Sequence, residues 1–172
     1  PNIAPIAVVG DSQTVNEGAE VSLSGAGSVD PDGAISAYSW SQTSGPGVVI
    51  ANANARDAAF VAPSVDADQT LTFRLTITDR QGATASASVN VSVRPIANVV
   101  GTTSGFFEGA PAGGTTRFLG IRFAASPVTE ARWKAPVRQP FQSGIIPATT
   151  FGFICTHPGQ LAGLVENEDC LN

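Results

Sequence analysis

The sequence predicts a mainly β protein: an antiparallel sandwich over residues 1–95, followed by a second β-rich segment over residues 96–172. Two patterns and one composition predict it. Between Val21 and Val93, short runs of strict apolar/polar alternation are separated by turn-rich clusters. After Arg94-Pro95 the texture changes to a Gly-rich stretch (Gly101, Gly105, Gly109, Gly113, Gly114) with new aromatic residues. Charged residues make up 13% of the 172, against about a quarter in ordinary globular chains.

In chain order, Pro1-Asn2-Ile3-Ala4-Pro5 reads as a stiff, extended linker, because each proline fixes its own φ and pushes its predecessor out of the helical region. The sequence contains no Met, so a start codon and any signal peptide are expected upstream. Asp30-Pro31-Asp32-Gly33 fits a type I turn. Ile35 to Gln42 carries Tyr38 and Trp40 on one face, and a lone Trp in a central strand is the usual anchor of an Ig-like sandwich. No cysteines flank it. Leu71, Phe73, Leu75 and Ile77 then alternate with Thr72, Arg74, Thr76 and Thr78, and Val89, Val91 and Val93 alternate with Ser88, Asn90 and Ser92. Each run offers one face to a core and one to water, so Trp40, Phe73, Leu75, Ile77, Val89 and Val91 are expected to be buried. Asp79-Arg80-Gln81-Gly82 lies between these runs as a tight hairpin connection.

The stretches "LSGAGSVDPDGAISAYSWSQTSGPG" and "LTFRLTITDRQGATASASVNVSV" resemble the PKD-type domains of bacterial exported proteins. Such modules often serve as spacers or adhesive units, and the fold by itself fixes no function.

In the second segment, Phe118 to Ala124 reads as a short buried strand between a Gly113-Gly114 turn and Ser126-Pro127. The run "TTSGFFEGAPAGGTTRFLGIRFAASPVTEARWKAPVRQPF", with "PATTFGFICTHPGQ" and "NEDCLN" after it, resembles the N-terminal segment of type-B carboxylesterases, relatives of the cholinesterases. That resemblance implies the truncated, β-rich opening of an α/β-hydrolase domain. Where the family more often has Pro-Tyr, this sequence has Arg122-Phe123. The family's chain continues past the Glu168-Asp169-Cys170 motif into a strand of the central sheet, so Asn172 is not expected to be a natural C-terminus.

The two cysteines are Cys155 and Cys170, and an even count in an exported protein favours one disulfide. The resemblance implies the same bridge and an ion pair between Arg132 and Glu168. It carries over no catalytic residue. An α/β-hydrolase needs Gly-x-Ser-x-Gly followed by an acid and a His, and no such motif occurs here, so nucleophile, acid, base and oxyanion hole are all missing. His157, the one histidine, reads as an exposed loop residue ahead of any nucleophile. Gly10-Asp11-Ser12 superficially resembles the start of another hydrolase class, but lacks that class's later Asp-x-x-His and reads as a polar loop.

No cofactor is expected. Asp30 and Asp32 are weak candidates for Ca²⁺, which takes about six to eight oxygens; roles in the turn are the simpler reading of both. Asn90-Val91-Ser92 has the form of a glycosylation sequon inside a strand and reads as a chance match. A formal net charge of -5 without a Lys/Arg cluster argues against nucleic acid and anionic membrane surfaces, and no apolar run is long enough for a membrane span.

Two functions from different classes follow. One is the non-catalytic front, a spacer or attachment module plus the start of the hydrolase domain, of a secreted or cell-surface carboxyl-ester hydrolase. The other is a structural or adhesive surface protein, even a filament subunit. In either, the second segment expects a partner, the remainder of the esterase domain or a neighbouring chain, to complete its sheet, with a homo-oligomer or polymer as one outcome.

Overall fold

A computed structural model describes residues 1–122, 124–125 and 135–151. The chain divides into a compact unit, Pro1–Ile96, and a second that begins at Ala97. Every regular element among the described residues is a strand.

The first unit is a sandwich. One sheet holds β1 (Gln13–Asn16), β6 (Thr84–Arg94), β5 (Gln69–Asp79) and β3 (Ile35–Ser44) in the order β1-β6-β5-β3. The other pairs β2 (Glu20–Ser24) with β4 (Asp57–Val61). Alternation fixes the inner faces. Leu71, Phe73, Leu75 and Ile77 of β5 and Val91 and Val93 of β6 are fully buried, and Trp40 and Val89 nearly so. They meet Val21, Leu23, Ala58 and Phe60 of the smaller sheet in one core, where the rings of Phe60 and Phe73 lie 4.5 Å apart. All six residues expected to be buried are in that core.

Two features depart from the antiparallel linker-and-sandwich expectation. β1 pairs parallel with β6, Asn16 opposite Arg94, a pairing of segments from opposite ends of the unit that local pattern cannot reveal. The Pro1–Pro5 stretch is not a free linker. Asn2 donates from Nδ2 to Asp79 Oδ2 (2.8 Å) and the Ile3 N–H donates to Asp32 Oδ2 (3.0 Å), after which Ile6 and Val29 exchange two backbone hydrogen bonds.

In the second unit, β7 (Val99–Thr102) and β8 (Gly105–Glu108) form a hairpin, and β11 (Gln142–Pro147) joins parallel to β8, giving the order β11-β8-β7. Phe106 and Phe107, adjacent in β8, are both buried, so both faces of this central strand are covered. β9 (Ala110–Ala112) and β10 (Thr115–Arg117) make a second hairpin. Its turn is Gly113-Gly114, both at positive φ (57° and 83°), the conformation a two-residue primed turn requires. The expected strand from Phe118 is not formed through residue 122. Gly120, at φ 73°, breaks the extended backbone, and Leu119 makes only an isolated parallel bridge to Thr149. Residues 118–122 are half-buried rather than core.

Candidate functional site

Polar side chains converge at one end of the sandwich, where β5 turns into β6. Asp79, the last residue of β5, is 2% exposed. Its Oδ1 accepts the backbone N–H groups of Gln81 (2.8 Å) and Ala83 (2.9 Å), and its Oδ2 the amide of Asn2. The Asn2 amide, ahead of those backbone donors, holds the carboxyl below the usual carboxylate range, because hydrogen bonds to the charged form favour it. Gly82 at φ 92° lets the chain turn tightly over it.

Beside it, residues 31–33 bend without a backbone hydrogen bond from Gly33 to Asp30. Asp32 is tied to Ile3, whereas both carboxylate oxygens of Asp30 are buried and accept no hydrogen bond. Burial pushes the Asp30 carboxyl up, and the charges of Asp32 and Asp79 add to the push. The N–H of Asp32 pulls the other way but falls outside hydrogen-bond geometry. Asp30 and Asp32, the two Ca²⁺ candidates of the sequence, are thus brought together, and Asp79 and Asn2 join them. The sequence signal for Asp79 was present, an Asp two residues before a turn N–H, but it reads equally well as an ordinary hairpin. Among the described residues, no group of three or more Asp, Glu, His or Cys side chains could hold a metal ion.

The other candidates are dispersed. Gly10, Asp11 and Ser12 are an exposed loop, as expected; Gly10 and Asp11 border a cavity of about 220 Å³ with Gln13, Ser22 and Ser24, and no histidine lines it. Asn90 is exposed on β6 and accepts the Thr72 hydroxyl at 3.0 Å. Cys155, Cys170, Arg132, Glu168 and His157 lie outside the described residues. No helix among the described residues is long and apolar enough to cross a membrane.

Comparison with known proteins gives the two units separate relatives. Residues 9–93 match the family "K319L-like, PKD domain". Residues 86–172, half of the chain, match the Carboxylesterase family. The chain belongs to the carboxylesterase family. Over 79 residues this carboxylesterase-family chain is 33% identical to the para-nitrobenzyl esterase of Bacillus subtilis (strain 168), a match that takes in 42% of the chain and 16% of the esterase. The family chain therefore spans about a sixth of that relative's length.

Among solved structures it is similar to the PKD domain of the KIAA 1837 protein, at 31% identity over 56% of this chain and 92% of that one, with a TM-score of 0.46. It is also similar to a nucleoside hydrolase-related protein from Saccharophagus degradans, at 26% identity over 55% of this chain and 26% of that one, with a TM-score of 0.45. A PKD-family segment is thus followed in this chain by a carboxylesterase-family segment.

Proposed function

We propose that this chain is the non-catalytic front of a secreted or cell-surface carboxyl-ester hydrolase, with the PKD sandwich as its spacer or attachment module. The observation that carries the reading is the carboxylesterase match across residues 86–172, supported by the B. subtilis esterase relative. In such a hydrolase a serine on a strand-to-helix elbow attacks the ester carbonyl, releases the alcohol and leaves an acyl-serine that water hydrolyses. No Gly-x-Ser-x-Gly occurs in the 172 residues, so this chain is assigned no part of those steps. A PKD sandwich and a low charge content support a location outside the cell.

The test compares two proteins on a para-nitrobenzyl ester. The chain extended through its natural continuation hydrolyses it, and residues 1–172 alone do not. An inactive extended protein without a Gly-x-Ser-x-Gly would overturn the reading.

The second reading, a structural or adhesive subunit, draws support from the open edges of the second unit's sheet. β7 and β11 are its outer strands among the described residues, and Val100 and Ile145 on them, with Phe141 and Phe151 nearby in sequence, are exposed. Such edges accept further strands. Ordered polymers seen by electron microscopy, with no ester hydrolysis by the extended protein, would favour it.

A further inference from the structure

Between the Ile6–Val29 bridge and β1 the chain borders a crevice of about 220 Å³, shared by Gly10, Asp11, Gln13 and Ser22 with the core residues Leu23 and Val89. Leu23 of β2 and Val89 of β6 belong to the two facing sheets and are buried, so the crevice opens between the sheets onto apolar side chains. Its volume is below the roughly 300 Å³ at which pockets for drug-sized molecules begin. It suits a single side chain.

The polar groups around it are unequally used. Gln13 Nε2 donates to the Ser22 carbonyl (2.9 Å), the Ser24 hydroxyl donates to Asp57 Oδ1 (2.6 Å), and the Gly10 N–H donates to the Ser24 carbonyl (3.0 Å). Acceptors are left over. Among the described residues, the Asp11 carboxylate, Gln13 Oε1 and the Ser22 hydroxyl accept no hydrogen bond, and the recorded ion pairs, Arg56–Asp57 and Arg94–Asp68, do not involve Asp11. The complementary ligand is a donor on an apolar stem.

We infer that this crevice binds a lysine side chain presented by a partner protein. The four-carbon stem lies on Leu23 and Val89 while the ammonium stays at the wet mouth, the division that long cationic side chains favour. An ammonium has three donors, matched by Asp11, Gln13 Oε1 and the Ser22 oxygen. The arginine fork has five, more than the mouth can accept. A sugar hydroxyl must accept as well as donate, and the donors here are already committed. Asp11 and Ser22 are exposed, so a side chain enters from a partner's surface without rearrangement of the sandwich, and a net charge of -5 favours a cationic partner at long range. The crevice lies within the first unit, so the inference goes beyond the esterase reading and does not depend on it.

The experiment titrates the blocked peptide acetyl-Gly-Lys-Gly-amide into the 172-residue protein and follows backbone amide resonances. Shifts centred on residues 10–13, 22–24 and 89 are expected, with a dissociation constant on the order of 10⁻³ to 10⁻² M, as one exposed ion pair and one short apolar stem allow. Acetylating the lysine Nζ removes its charge and abolishes the shifts. Raising the salt from about 0.02 to about 0.3 M weakens binding by screening the pair. Asp11→Asn, on an exposed loop, weakens it about threefold to fivefold, whereas Asp66→Asn, an exposed acid that does not line the crevice, leaves it unchanged. No shifts at about 0.05 M peptide, shifts centred elsewhere, equal binding of the acetylated or an arginine peptide, or undiminished affinity in Asp11→Asn would overturn the site. Ester hydrolysis by the extended chain is measured separately, so failure here leaves the hydrolase reading standing.

Discussion

The Glu17 carboxylate accepts the backbone N–H of Ile96 at 2.8 Å, joining the residue after the first strand to the end of the unit. Parallel pairing makes this contact available, because Asn16 lies opposite Arg94 and both strands finish at the same level. The other carboxylate oxygen takes the Ser64 hydroxyl (2.8 Å) and the Val65 N–H (3.2 Å). Glu17 is 2% exposed, and one buried and two part-buried donors depend on it. Replacing it with alanine leaves them without an acceptor and should cost about 3 kcal/mol, lowering the melting temperature of the first unit by more than about 10 °C. Thermal denaturation followed by circular dichroism checks this; an unchanged midpoint would show the clamp to be dispensable.

Two glycines with nearly the same φ should respond differently to alanine. Gly45 (φ 91°) would place a Cβ 2.7 Å from the Thr70 carbonyl oxygen and 2.9 Å from Leu71 Cα, while Gly82 (φ 92°) has open space around it. Gly82→Ala carries only the left-handed penalty, about 1–2 kcal/mol. Gly45→Ala adds a clash with backbone that cannot rotate away, of about 1 kcal/mol or more. Urea unfolding of the two variants should rank them in that order, and equal losses would refute the steric argument.

Asp57 should titrate below the ordinary carboxylate value. The Ser24 hydroxyl, at 2.6 Å, is the largest cause, and the adjacent Arg56 guanidinium adds to it. A lowered pKa in the folded state means that the stabilisation is present above the unfolded value near 3.8 and is lost as pH falls through the lowered one. Carboxyl carbon resonances followed against pH give the midpoint directly, and Ser24→Ala should raise it toward the ordinary value. A midpoint at or above the usual range in the wild type would contradict the hydrogen bond.

The Cys155–Cys170 bridge implied by the family resemblance is open to a chemical test. Peptide mapping of oxidised protein by mass spectrometry should recover the two cysteines in one linked fragment. Reduction should destabilise the second unit by around 3 kcal/mol, the chain-entropy value for a loop of about fifteen residues. Two free thiols under oxidising conditions would dismiss the bridge, and with it the expectation that Arg132 meets Glu168.

Much of the sandwich was legible because β5 and β6 are long, strictly alternating and joined by a local turn, so Phe73 and Val91 declare their faces from their neighbours alone. β1 was not, since Gln13–Asn16 has weak periodicity and its partner β6 lies at the far end of the unit. The strand expected from Phe118 failed at Gly120, where apolar pattern and backbone conformation conflict. Half of the polar cluster was legible. Asp30 and Asp32 stand together in the sequence, but Asn2 and Asp79 are 77 positions apart, and only the fold brings such residues into hydrogen-bond contact.

The strand arrangement also has a mechanical consequence. Asn2 is held at the β5–β6 turn and Ile96 follows the opposite end of β6, so the points at which the chain joins and leaves this unit are separated by the length of an eleven-residue strand, about 35 Å. Tension applied at Pro1 and Ile96 pulls β1 and β6 in opposite directions along their shared ladder. Their hydrogen bonds are then loaded together, in shear, instead of opening one at a time, and the unit can transmit a pull along its length before the core is exposed.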